Sequence, residues 1–393
     1  MADGRQIAIA LDYPLTLRGG VSVIAESLLK HLPVGYNVVL VSPDDPEELK
    51  KHACASRLNG HVCFNPANLT PASARNLAEA IRRHNVSLVH FHAGANLGWG
   101  NRSGRKSPLP SLARAGIPCL FSAHQVSPLL EGYCAENRPL WYKLALLPAV
   151  WSASTYALFR AARIVTDSQH DARLLKRNFP LLSRKIDFIY HSRLNADHVE
   201  SLNAMSREKI ILSVGHVAFR KGQHILAEAF SQIAPLYPEW KLVIAGPVLQ
   251  DDCGKKIEQI RTSNNLGDRI ELRGSEPEPQ KLMRQASIFV QPSLMEALGL
   301  ALQEAMFFGC ACVGSNVGGI PELITHNHTG MLFPAGQIDA LAEVLAELIR
   351  QPDRRLQLAG QAHASIVARG MTGQAMASNY DKLYQRFFLQ HRE

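Results

Sequence analysis

The chain reads as short apolar runs separated by longer amphipathic stretches. In the first half the runs fall at residues 7–11, 37–41, 86–92, 119–123 and 163–166. Helical patterns lie between them, one from the Gly19-Gly20 loop through Leu32 and a clear one over 71–84. The runs are nearly continuous in apolar character, the pattern of strands covered on both faces, and their alternation with helices predicts a parallel sheet. The second half repeats this more clearly, with strands expected at 210–214, 242–245, 270–273, 288–291 and 311–314. Helices are expected there at 223–233, 255–263, 279–285, 298–308 and 338–349. The polar stretch 190–208 lacks periodicity and is expected to join the halves. The tail 373–392 places Met376, Tyr380, Leu383, Tyr384 and Phe387 at i, i+3, i+4 spacing, which predicts a final helix.

A chain of 393 residues exceeds one ordinary core. The expectation is therefore α/β: two Rossmann-like doubly wound domains, 1–200 and 201–372, and a closing helix, 373–393. Ligands of such sheets bind beyond the carboxyl ends of the strands, so two ligands are expected to meet in a cleft between facing domains.

Composition narrows the class. At 46% hydrophobic and 19% charged residues the chain suits a globular fold rather than a disordered one. No apolar run reaches the roughly 20 residues that a spanning helix needs. The nearest case, 144–159, is uncharged but contains Pro148 and several Ser and Thr, and is read as a buried helix. The start lacks the apolar core of a signal peptide, and the seven Cys show no metal or disulfide spacing, so reduced thiols in the cytoplasm are expected. Charge is lopsided: residues 1–200 hold 23 Lys and Arg against 15 Asp and Glu, whereas 201–393 hold 19 of each. No nucleic-acid motif accompanies the excess, so nucleic acid is not an expected partner. An anionic membrane surface or a phosphorylated acceptor is, which would make the protein peripheral on the inner face of a membrane.

The string PSLMEALGLALQEAMFFGCACVGSNVGGIPELI carries most of the chemistry. Glu296 precedes a helix and Glu304 lies eight residues later within it, too far along for one acid/base pair but suited to two ends of an elongated ligand. Between them Gly299 and Leu300 open the helix with free N–H groups, a ready diphosphate site. Glu304 is then placed to accept ribose hydroxyls and Glu296 to contact a sugar, while Gly318-Gly319 marks a loop of close backbone approach. In ILSVGHVAFRKGQHILAEAF, Arg220 and Lys221 stand before a helix, where cations can neutralise a leaving diphosphate. In the first half, His90 and His92 share one strand face and His124 ends another strand. A metal site would need His124 as third ligand. Pocket or core histidines are the expectation instead, with no metal and no cofactor, and His124 is the candidate to touch the reacting groups.

These residues resemble the GT4 group of retaining GT-B glycosyltransferases over most of the chain. The group's E-x7-E motif is matched by Glu296 and Glu304, and its following run by EAMFFGCACVGSNVGGIPE. Its "GR…KG" loop is matched by Gly215, Lys221 and Gly222, its early glycine pair by Gly19 and Gly20, its strand-ending histidine by His124, and its strand before the linker by residues 166–168. His216 stands where the group has arginine, beside Arg220; Ala297 and Leu298 follow the first glutamate where glycine and an aromatic are usual; and YHSRLNADH replaces its interdomain motif.

The resemblance implies transfer of a sugar from a nucleotide-sugar donor to a glycan, lipid-linked or lipopolysaccharide-type acceptor, with retention by front-face attack and without metal. It implies donor contacts at Gly19, Gly20, Gly215, His216, Arg220, Lys221, Gly299, Leu300 and Glu304, and catalytic roles for His124, Lys221 and Glu296. The alternatives are a non-catalytic sugar-nucleotide binder and another GT-B enzyme such as an epimerase. A dinucleotide dehydrogenase is disfavoured, because no G-x-G-x-x-G follows the first strand.

Overall fold

The computed structural model describes residues 5–17, 19–66, 69–94, 107–128, 139–195 and 207–390. By its contacts the chain divides into two compact units: residues up to 195 together with those from 372 onward, and residues 196–371. The expected junction at 200 lies outside the described residues. Thr372 groups with the first unit.

The first unit is a seven-stranded parallel sheet in the order β3-β2-β1-β4-β5-β6-β7. Its strands are β1 (Arg5–Leu11), β2 (Tyr36–Ser42), β3 (Leu58–Cys63), β4 (Leu88–Ala93), β5 (Cys119–Ala123), β6 (Arg163–Thr166) and β7 (Ile186–Phe188). β4 and β5 are wholly buried, which is why their sequences are mostly apolar, broken by His90, His92 and Ser122. β3 and β7 were not expected: Asn59 and Gly60 break the apolar pattern of β3, and β7 is only three residues long.

The second unit is a six-stranded parallel sheet in the order β10-β9-β8-β11-β12-β13. Its strands are β8 (Glu208–Val214), β9 (Lys241–Ala245), β10 (Ile270–Gly274), β11 (Ala286–Gln291), β12 (Ala311–Ser315) and β13 (Met331–Phe333). In both sheets the order of strands reverses beside the first strand, so β1/β4 and β8/β11 are switch points where loops diverge and leave room for a ligand.

The closing helix, Gly373–Gln390, packs on the helix Gly20–His31 of the first unit. Gly373 donates its N–H to Leu194 O at 2.8 Å, and a Cβ there would meet Ser27 Oγ at 2.5 Å, so the helix starts in backbone contact with the first unit.

Two expectations are corrected. The uncharged stretch forms the helix Leu140–Phe159, but only Val150, Ser154, Ala157 and Leu158 of it are buried. It is not an interior helix. The segment read as a polar connector contains His191 and Ser192, both fully buried. Among the described residues no helix is long and apolar enough to cross a membrane.

Candidate active site

In the second unit the loops after β8 and β11 are locked backbone to backbone. The turn Phe219–Lys221 ends at Gly222, whose φ of +70° opens the helix Gln223–Ile233. A Cβ on Gly222 would lie 1.9 Å from Pro292 O, so only glycine allows this approach. The Arg220 carbonyl accepts from the N–H groups of Leu294 at 2.8 Å and Met295 at 3.3 Å.

This stitching sets Lys221 Nζ 2.7 Å from Glu296 Oε2 across the switch point. The side chains keep only 17% and 11% of their exposure. Gln291 Nε2 and Ser293 Oγ each donate to the same oxygen at 3.0 Å. Ser293 is itself held through its carbonyl, which accepts from Ser315 Oγ at 2.6 Å. Three donors thus converge on Oε2, and no hydrogen bond to Oε1 is recorded among the described residues. A third loop closes on the same segment. Gly318, at φ +56°, would place a Cβ 1.7 Å from Glu296 O, and Gly319 donates its N–H to that carbonyl at 3.3 Å.

Beyond Glu296, Gly299 at φ +99° opens the helix Leu300–Phe307, and no side chain caps that end. Glu304 is buried within this helix. Gly215 takes φ +145° directly after β8, and a Cβ on Gly246 would strike its carbonyl at 2.0 Å. His216 is half-buried and its carbonyl accepts from Gln223 Nε2 at 3.0 Å. Burial, then the charges of Arg220 and Lys221, push its imidazole below the usual value, which favours the neutral form at pH 7. The Arg220 side chain is exposed.

Gly19, Gly20 and His124 belong to the first unit. Gly19 donates its N–H to Ser22 Oγ at 2.8 Å and begins the helix Gly20–His31. A Cβ on Gly20 would meet nothing within 4 Å, so the fold itself does not require glycine there.

The sequence did not disclose the setting of His124. Residues at the carboxyl ends of β4, β5 and β6 join two tyrosines of the closing helix in one buried hydrogen-bonded run. One choice of tautomers gives it a consistent direction. Tyr384 Oη donates to His90 Nδ1 (2.6 Å), His90 Nε2 to Ser122 Oγ (2.7 Å), Ser122 to Tyr380 Oη (2.8 Å) and Tyr380 to His191 Nε2 (2.7 Å). From the other end, His92 Nδ1 donates to His124 Nε2 at 2.9 Å. The Nδ1 atoms of His191 and His124 approach the two Asp167 oxygens at 2.9 and 3.4 Å. Burial alone would raise the Asp167 carboxyl, but the two imidazoles outweigh it and hold it well below the usual range. His92 Nε2 is buried with no hydrogen-bond partner among the described residues.

His124, Asp167 and His191 have ligand atoms within 4.8 Å of one another, the one cluster of metal-ligating type among the described residues. It differs from the His90, His92, His124 set considered above, because both nitrogens of His90 are taken by Tyr384 and Ser122. At the first switch point Asp12, just past β1, accepts the Gly94 N–H at 3.0 Å, and burial pushes its carboxyl up. Asp12, Asp167, His191 and Tyr380 were missed. The signal that could have found the first two is their place directly after parallel strands.

Comparison with known proteins follows these halves. A family model described as "Glycosyltransferase Family 4" matches residues 18–192, and one described as "Glycosyl transferases group 1" matches 195–364. A lipopolysaccharide core biosynthesis mannosyltransferase of Rhizobium leguminosarum is 23% identical over 90% of this chain and 89% of its own. A D-inositol 3-phosphate glycosyltransferase of Segniliparus rotundus is 24% identical over 80% of this chain and 71% of its own. The solved structure of Anabaena Alr3699/HepE in complex with UDP superposes with a TM-score of 0.74 at 17% identity, over 97% of this chain and all of that one.

Proposed function

This chain belongs to the GT4-type glycosyltransferases, with the GT-B fold, and from that premise we propose that it transfers a sugar with retention from a nucleotide-sugar donor to a glycan, lipid-linked or lipopolysaccharide-type acceptor. The observation that carries the reading is the Lys221–Glu296 pair at the β8/β11 switch point. Glu296 Oε2 is clamped by three donors, so its other oxygen is available for a sugar hydroxyl. The Lys221 ammonium has three protons, of which Glu296 engages one, and the others serve the diphosphate. The uncapped N-terminus at Gly299 and Leu300 adds backbone donors and a dipole of the right sign. Glu304 receives ribose hydroxyls.

In this reading the residues supply electrostatic stabilisation of a leaving diphosphate, with no metal required. The acceptor attacks the face that the diphosphate leaves and gives its proton to the departing phosphate oxygen. His92 and Asp167 engage both ring nitrogens of His124, so its proposed part is to shape the pocket beside the reacting sugar rather than to hydrogen-bond it. The activity of the lipopolysaccharide core relative supports a glycan-type acceptor, and the excess cations of the first half support attachment to an anionic membrane at the inner face. The test is anomeric NMR of the product made from an α-linked donor. An α product supports retention, and a β product refutes it. Single variants decide the role of His216. Loss of transfer in Arg220→Ala but not in His216→Ala makes Arg220 the phosphate contact. A sugar nucleotide that binds but is never transferred would leave a binder.

A further inference from the structure

The helix Leu140–Phe159 carries an exposed apolar face. Trp141, Leu144, Pro148, Ser152, Tyr156 and Phe159 fall within about 120° of one another at 100° per residue, and all are exposed. Trp141 keeps 70% of its surface, Phe159 56%, Leu144 49% and Tyr156 45%. The opposite face packs on the core through Val150 and Leu158. Single exposed apolar residues are ordinary, but a contiguous row over five turns is not.

Charge marks what covers it. The helix contains no acidic residue, and Lys143 is its only charged one. Cations crowd its C-terminal end. Arg160 lies over the Tyr156 ring at 5.1 Å and Lys185 over the Phe159 ring at 4.5 Å. Lys185 also donates to Phe159 O and Ala161 O, at 2.7 and 3.0 Å. Arg163 donates to Arg184 O at 2.8 Å, and Asp187, 3.6 Å from Arg163, is the acid recorded beside this group. The adjoining turn Pro180–Lys185 adds the exposed Leu181.

We infer that this helix lies in the headgroup region of an anionic bilayer, its Trp141-to-Phe159 face toward the acyl chains and its basic end against lipid phosphates. Tryptophan and tyrosine suit that boundary, being apolar in body and polar at one tip. The helix is anchored to the core on its other side and falls short of a spanning segment, so it lies on the membrane rather than across it. The inference rests on the membrane attachment proposed above and names the surface that makes it.

The test is sedimentation of the full chain with vesicles of equal phosphatidylglycerol and phosphatidylcholine, at low salt and at 0.5 M salt. The parent should bind, more weakly in salt. Trp141→Ser/Leu144→Ser should bind about tenfold or more weakly at both salts, because the apolar contact is not screened. Arg160→Gln/Arg184→Gln should lose about fivefold per charge at low salt and little at high salt. Unchanged melting temperatures would show that both variants are folded. No sedimentation of the parent at low salt overturns attachment and inference together. Equal sedimentation of parent and Trp141→Ser/Leu144→Ser overturns the inference alone. A dimer in ultracentrifugation that Leu144→Ser dissociates would make a second copy the occupant and also overturn it. Transfer to a soluble acceptor, run in parallel, reports on the catalytic reading separately.

Discussion

Replacing Lys221 by Met removes the ammonium and keeps most of the stem. Glu296 then loses its contact at 2.7 Å but keeps Gln291 and Ser293 on the same oxygen. Coulomb attraction at that distance is about 6 kcal/mol at an effective dielectric of 20, most of it offset by desolvation. With two neutral donors remaining, the stability cost is about 1–3 kcal/mol, the range for one lost partner of a buried group. The catalytic cost is larger if Lys221 also holds the diphosphate. Loss of one preorganised contact to developing charge costs about 10²–10³-fold in turnover, or about 2.7–4 kcal/mol. The assay is release of nucleoside diphosphate in the presence of acceptor, at a temperature where the variant is folded. A double-mutant cycle separates two roles. If Lys221 acts on the donor, Lys221→Met lowers activity further in a Glu296→Gln background. If it only holds Glu296, it adds nothing there. A single variant whose kcat/KM stays within threefold of the parent would refute the assignment.

Glu304→Gln is expected to raise donor Kd about 5- to 150-fold by calorimetry, and an unchanged Kd would confine Glu304 to the fold. Gly318→Ala forces a Cβ to 1.7 Å from Glu296 O at a φ of +56°, and should cost about 2 kcal/mol or more in denaturant unfolding. Gly267→Ala, where a Cβ meets nothing within 4 Å, is the control and should change little. His90, His92 and His191 are buried, and each is held below the ordinary imidazole value, burial being the main cause. The unfolded chain therefore binds more protons, so stability is present above about pH 6.5 and lost as pH falls below it. A melting temperature equal at pH 7.5 and pH 5 would contradict this. Transfer should persist in EDTA; its loss on chelation would place an ion among His124, Asp167 and His191.

Local pattern determined much of this protein. Largely apolar runs mark β1, β2, β4 and β5 because those strands are covered on both faces, and exceptions such as His90, His92 and Ser122 belong to the buried hydrogen-bonded run. The glycines at 222, 299 and 318 and the glutamates at 296 and 304 lie within short strings, so their spacing was visible in the chain. Other features depend on what comes from far away. Tyr380 reaches Ser122 and His191 across 258 and 189 positions, and no local periodicity encodes such a meeting. The edge strands β3, β7 and β13 are short or interrupted, and neighbouring strands, not propensity, hold them. The helix Leu140–Phe159 is apolar nearly all round, so its sequence could not say which side the core would take. Only packing of Val150 and Leu158 against the sheet decided that, and so left the Trp141-to-Phe159 face outside.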